Sequence, residues 1–171
     1  LQLVAAGASG TTINLASGLN SYGGGTVVNG VTLGLLSGAV LPGGSLTLNG
    51  ATFTQTLGGT LTAQPAILNG GATLTLVGSN TLSSLEINNV GGTTAPTVTA
   101  GTLTLNGGIT ATSSNLVSTS TIAGTLDFGG ASRTLSISPV TINGAAVSPR
   151  TPTLIISALI QNAGTLTLDG G

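Results

Sequence analysis

A chain of 171 residues with five charged side chains, a formal net charge of −1 and no histidine, cysteine, lysine, methionine or tryptophan has no field to steer nucleic acid or anionic lipid. It also lacks the groups for a catalytic triad, a Schiff base, a soft-metal site or a disulfide framework. Its mean hydropathy of +0.56 is spread over short aliphatic runs, which suits neither a membrane helix nor, with three aromatics, the girdled wall of a membrane barrel.

Taken in chain order, Leu1-Gln2-Leu3 reads as the tail of a strand, with no initiator methionine, charged leader or signal peptide before it. Asn29-Gly30 closes an aliphatic run. The segment Gly44-Ser45-Leu46-Thr47-Leu48-Asn49-Gly50 then states a unit: a small residue, alternating hydroxyl and aliphatic side chains, and an Asn-Gly turn. Asn69-Gly70 follows, and Ala72-Thr73-Leu74-Thr75-Leu76 is a looser copy. Gly101-Thr102-Leu103-Thr104-Leu105-Asn106-Gly107 repeats the unit in full, and Gly124-Thr125-Leu126-Asp127-Phe128-Gly129 repeats it with an acid. Arg133-Thr134-Leu135-Ser136-Ile137 is a degenerate form, Asn143-Gly144 another turn, and residues 164–170 a final copy with Asp169 in place of Asn. The best helical stretch, residues 153–159, is short and β-branched at its start, so essentially no helix is expected.

Within each unit the period is two, which marks a strand with one buried face. Leu46, Leu48, Leu74, Leu76, Leu103, Leu105, Leu166 and Leu168 are expected inside and the hydroxyl residues outside. Leading residues at 44, 72, 101, 124 and 164 give intervals of 28, 29, 23 and 40, irregular periods of the size that repeat folds use. The Asn-Gly turns also allow two-residue hairpins and hence an antiparallel sandwich or barrel. The one-directional repeat favours an all-β chain folded as a three-sheeted parallel β-helix, a β-solenoid. Residues 1–171 are expected to form one uncapped segment of a longer repetitive protein, cut at both ends.

Residues 18–33 read Gly-Leu-Asn-Ser-Tyr-Gly-Gly-Gly-Thr-Val-Val-Asn-Gly-Val-Thr-Leu. This resembles the autotransporter-associated β-strand repeat, with Asn20, Tyr22, Gly24, Gly25, Thr26, Val28, Asn29, Thr32 and Leu33 at matching positions. A second copy from Gly71 lacks the tyrosine and the glycine pair and drifts through residues 82–88. The resemblance implies a right-handed parallel β-helical passenger, displayed on or released from a Gram-negative-type (diderm) cell. It supplies no catalytic residues.

The carboxylates Glu86, Asp127 and Asp169 are scattered among outward and turn positions, so no catalytic, metal or cofactor site is expected. Asp169-Gly170-Gly171 stands alone, whereas a calcium-binding repeat needs an acid in every copy. Gly23-Gly24-Gly25 has no following lysine or helix to make a phosphate loop. The pairs Thr60 and Thr62, Thr73 and Thr75, Thr102 and Thr104, and Thr165 and Thr167 resemble the surface of ice-binding β-helices, although unequal intervals are expected to break any regular rank.

The function expected is therefore structural and not enzymatic: a stalk, fibre or passenger scaffold, extracellular or on the outer cell surface, with adhesion and self-association as further expectations. Its partners are expected to be adjacent repeats or copies end to end and other cell surfaces, with no cofactor, no nucleic acid and no embedding in a membrane. The alternative is a binding module, for ice or glycan, that uses the outward Thr-x-Thr face.

Overall fold

A computed structural model describes residues 2–8, 10–147 and 151–170, and shows a β-solenoid of about six turns. Leu1, Arg150 and Gly171 lie outside the described residues. The first coil holds β1 (Leu3–Ala6) and β2 (Thr12–Leu15); the second holds β3 (Thr26–Asn29), β4 (Thr32–Leu35) and β5 (Val40–Leu41). The third holds β6 (Leu46–Asn49), β7 (Thr52–Gln55) and β8 (Thr60–Leu61), and the fourth β9 (Ala66–Asn69) and β10 (Thr73–Leu82). The fifth and sixth hold β11 (Leu85–Asn89) with β12 (Thr97–Leu105), and β13 (Ile109–Ser113) with β14 (Ser120–Asp127). Beyond them come β15 (Arg133–Ile142), β16 (Ala145–Ala146), β17 (Leu154–Ile156), β18 (Leu159–Gln161) and β19 (Leu166–Asp169). No helix occurs among the described residues, so none there is long and apolar enough to cross a membrane.

Strands of successive coils pair in parallel. The first wall runs β1-β3-β6-β9-β11-β13-β15, with β19 also on β15, and the second runs β2-β4-β7-β10-β12-β14, with β17 on β14. The third wall begins as the separate pair β5-β8. From β10 onward it is continuous with the second: β10 and β12 pair in one register up to Leu76 and in another from Ser79, on either side of a bend. The halves after the bend in β10, β12 and β14 form the third wall, and β18 stacks on β14 there. The expected three sheets are therefore three walls, two of which fuse along later coils.

Coil length is set by register. Asn29, Asn49 and Asn69 recur at spacings of 20 residues, Asn88 follows after 19 and Thr112 after 24. Leu135 lies 26 residues beyond Ile109, and Leu168 lies 33 beyond Leu135. The sequence intervals of 28, 29, 23 and 40 are therefore not coil lengths. The units sit on different walls: residues 46–48 on the first, 73–76 on the second, 102–105 and 125–127 on the third, and 166–169 on the first again. Every wall needs the same inside–outside alternation, so a strand motif cannot tell which wall it builds.

The interior is a set of aliphatic ladders. Ala5, Val28, Leu48, Leu68, Ile87 and Ala111 stack in direct register along the first wall, all buried. Phe53 and Phe128 are also fully buried, so the lumen takes rings as well as aliphatics. Each buried leucine contributes roughly 1.5–3 kcal/mol relative to exposure. Leu46, Leu48, Leu74, Leu76, Leu103 and Leu105 lie inside, as the alternation predicts. In the last coil Leu166 is half-buried and Leu168 is 76% exposed. Leu168 stands on Leu135, but no described strand covers it from the other side.

The Asn-Gly turns do two jobs. After Asn29, Asn49 and Asn69 the glycine takes a positive φ, of 64°, 53° and 63°, and turns the chain from the first wall to the second. At Asn143 and Gly144 both residues have positive φ, 50° and 78°, and close the β15–β16 hairpin. This is the primed two-residue turn that such a dipeptide favours, and it makes the one antiparallel pair among the described strands. The hairpin reading thus holds at one turn and fails for the fold.

Candidate functional site

The residues of the family-like segment have structural work to do. The Asn20 side-chain amide donates to the Ser17 carbonyl at 2.8 Å and to the Val40 carbonyl of the next coil at 3.0 Å. The Tyr22 hydroxyl shares a 2.9 Å hydrogen bond with Thr26 Oγ1, and its partial burial raises its pKa more than that bond lowers it. Both contacts tie a glycine-rich corner to the strands around it, and neither leaves a reactive group in a cleft.

The acids are separated. Glu86 and Asp169 fall in one outward column of the first wall, with Thr110 and Ser136 between them, a separation of about 14 Å at the usual strand spacing. Asp127 lies on the third wall. Its carboxylate accepts hydrogen bonds from the Gly129 N–H at 2.7 Å, Asn162 Nδ2 at 2.8 Å and Gln161 Nε2 at 3.0 Å. Those donors, the backbone N–H first, hold it below the usual carboxylate range. Glu86 Oε1 accepts from Asn88 Nδ2 at 2.8 Å, and Arg133 Nε donates to the Leu105 carbonyl at 3.2 Å. Among the described residues no group of three or more histidine, cysteine or acidic side chains could hold a metal ion.

The threonine pairs singled out above do not form one face. Thr60 precedes Leu61 on the third wall, Thr102 and Thr104 lie on the third wall, Thr73 and Thr75 on the second, and Thr167 on the first. The structure assembles a different array. On the second wall Thr12, Thr32, Thr52, Thr73, Thr97 and Thr121 pair in direct register across six consecutive strands. A second column, two residues along, holds Thr54, Thr75 and Thr99. Three adjacent coils therefore present complete Thr-x-Thr pairs, at 52 and 54, 73 and 75, and 97 and 99. Thr97 Oγ1 donates to Thr73 Oγ1 at 3.3 Å within the first column. Glu86, Arg133 and Asp169 belong to the first wall and Asp127 to the third, so no described charge falls on the columns. The expectation of broken ranks is corrected: the unequal intervals measured jumps between walls, while stacking within a wall is even.

The corner between the first and second walls swells in later coils. Two residues turn it after Asn29 and Asn49, whereas residues 90–96 and 114–119 turn it after β11 and β13. Buried amides hold the larger corner: Asn115 Nδ2 donates to Asn89 Oδ1, the Gly92 carbonyl and Ser118 Oγ at 2.7–3.1 Å, and Asn89 Nδ2 to the Ser118 carbonyl at 2.8 Å. Val90, Leu116 and Val117 are exposed there. Neither the threonine columns nor this corner could be found from spacing, because both depend on which residues lie above one another. No family model matches the chain, and neither does any curated protein or solved structure.

Proposed function

We propose that the chain is a structural β-solenoid, an extracellular stalk, fibre or passenger scaffold at the outer surface of a diderm bacterium. The observation that carries this reading is the unbroken parallel stacking of strands from β1 to β15 on the first wall, reinforced by the asparagine rank along its corner. Each interior coil is hydrogen-bonded on both sides, so little backbone is left free for a protease. The resemblance of residues 18–33 to the autotransporter-associated repeat supports the location. Self-association belongs to the same reading: an outermost strand pairs on one side only, and five charges in 171 residues do little to discourage parallel addition of an adjacent repeat or a second copy. An adhesive role follows if the rod reaches other cells. Surface labelling of intact cells that produce the protein tests the location. Labelling before lysis supports it, and labelling that needs lysis overturns it.

The register on the second wall favours one further reading, a binding module whose contact surface is the outward threonine face. That face repeats with the coil and carries no described charge.

A further inference from the structure

We infer that the outward threonine face of the second wall binds ice, an inference that rests on the binding-module reading and names its ligand. The columns form a two-dimensional lattice, with about 4.8 Å between neighbouring coils and about 6.6 Å between alternate residues of a strand. Each complete point carries one hydroxyl, able to donate and accept, and one methyl. Threonine is stiff at χ1, so the hydroxyls are held in place before any ligand arrives, which lowers the entropic cost of binding.

The lattice also says what kind of ligand fits. A compact small molecule calls for a concave site with convergent polar groups, and a rank that looks the same at 52, 73 and 97 gives it no preferred seat. A sugar chain has no aromatic platform here: Phe53 and Phe128 are buried inside, and Tyr22 lies in the corner before β3. An ionic surface has no counter-charge, since the described charges lie on the other walls. A rigid, uncharged lattice of donors, acceptors and methyls suits a partner that is itself a repeating hydrogen-bonded solid. Ice has that chemistry: its surface waters meet the hydroxyls, while the methyls fill the spaces between.

The intact chain is tested by slow freezing onto a cold surface, with its partition into the ice compared with that of an inert globular protein. The wild-type chain is expected to enter the ice and to reshape growing crystals. Thr75→Tyr, at the centre of the array, is expected to lose both activities, and Thr110→Tyr on the first wall to retain them. Thr99→Lys supplies a second change on the same face should Thr75→Tyr not fold. Exclusion of the wild-type chain from ice overturns the inference, as does equal activity in the wall-one and wall-two variants. Binding to insoluble chitin or cellulose is the second arm. Retention there that is lost in Thr75→Tyr, with exclusion from ice, overturns the ligand and keeps the binding face; exclusion from both overturns both.

Discussion

Asn49 donates its side-chain amide to Asn29 Oδ1 at 2.7 Å, across the 20 residues of one coil. Asn69 repeats the geometry to Asn49 at 2.7 Å, Asn88 to Asn69 at 2.9 Å, and the Thr112 hydroxyl ends the rank on Asn88 Oδ1 at 2.8 Å. The coils of 19–20 residues coincide with the asparagine-to-asparagine bonds, and the closing step to Thr112 already spans a longer coil of 24. Replacing Asn49 removes a donor to one neighbour and an acceptor for the other. Asn49→Ala, at an exposed corner, is expected to cost about 0.5–1.5 kcal/mol, read as a lower urea midpoint with an unchanged slope. A change within experimental error would show that the rank only accompanies the stacking.

The bend between the second and third walls brings glycines of neighbouring coils into close contact. A Cβ on Gly101 would lie 2.6 Å from the Gly78 carbonyl oxygen, whereas one on Gly43 meets nothing within 4 Å. Gly101→Ala should therefore force the backbones apart and cost about 1–3 kcal/mol. Gly43→Ala should be neutral or stabilising by up to about 1 kcal/mol, through the unfolded chain. Thermal melts of the two variants decide, and equal effects would contradict the stacking at the bend.

The Asp127 carboxylate links the sixth coil to Gln161 and Asn162 of the next. Its pKa is lower when folded than the ordinary 3.8. It binds fewer protons folded than unfolded as pH falls through that range. Its contribution is thus present above the ordinary carboxylate pKa and is lost as pH drops through the depressed folded value. Amide exchange across residues 154–169 should quicken between about pH 5 and about pH 2 relative to the first coils, after correction for intrinsic rates, and Asp127→Asn should reduce that dependence. A dependence unchanged in Asp127→Asn would place the acid sensitivity elsewhere.

Inside and outside differ most clearly at Leu103 and Thr99. Leu103 is fully buried, whereas Thr99 is exposed and has Thr75 and Ala123 as its neighbours. Thr104, next to Leu103, is a poorer control because it stands beside Asp127. Leu103→Asp puts an unpaired charge in an aliphatic ladder and is expected to cost at least about 3 kcal/mol or prevent folding. Thr99→Asp is expected to change stability by no more than about 0.5 kcal/mol. Comparable losses from both would reverse the assigned faces.

Alternation alone was enough to place Leu46, Leu48, Leu74, Leu76, Leu103 and Leu105 inside, because side-chain direction in a strand is a local property. Asn29, Asn49 and Asn69 were legible as corners because the following glycine reports a left-handed φ. Asn88 does the same stacking without a following glycine, so no local signal marks it. Asn143-Gly144 looks the same in sequence and makes a hairpin instead. The threonine columns were illegible for a deeper reason. Thr75 lies over Thr99 only because residues 77–96 turn three corners in the length that returns the chain to the same wall, a property of the whole coil.

Two ways of stacking the chain make opposite predictions for one experiment. Aligning the repeated units places Thr75 beside Thr104, whereas the solenoid pairs Thr75 with Thr99. The chain has no cysteine, and neighbouring parallel strands bring Cα atoms to about 4.8 Å, within disulfide reach. Mild oxidation of the Thr75→Cys, Thr99→Cys double variant is expected to give an intramolecular disulfide in high yield, and the Thr75→Cys, Thr104→Cys variant little or none. Efficient crosslinking of the second pair with failure of the first would contradict the coil register and the threonine face built on it.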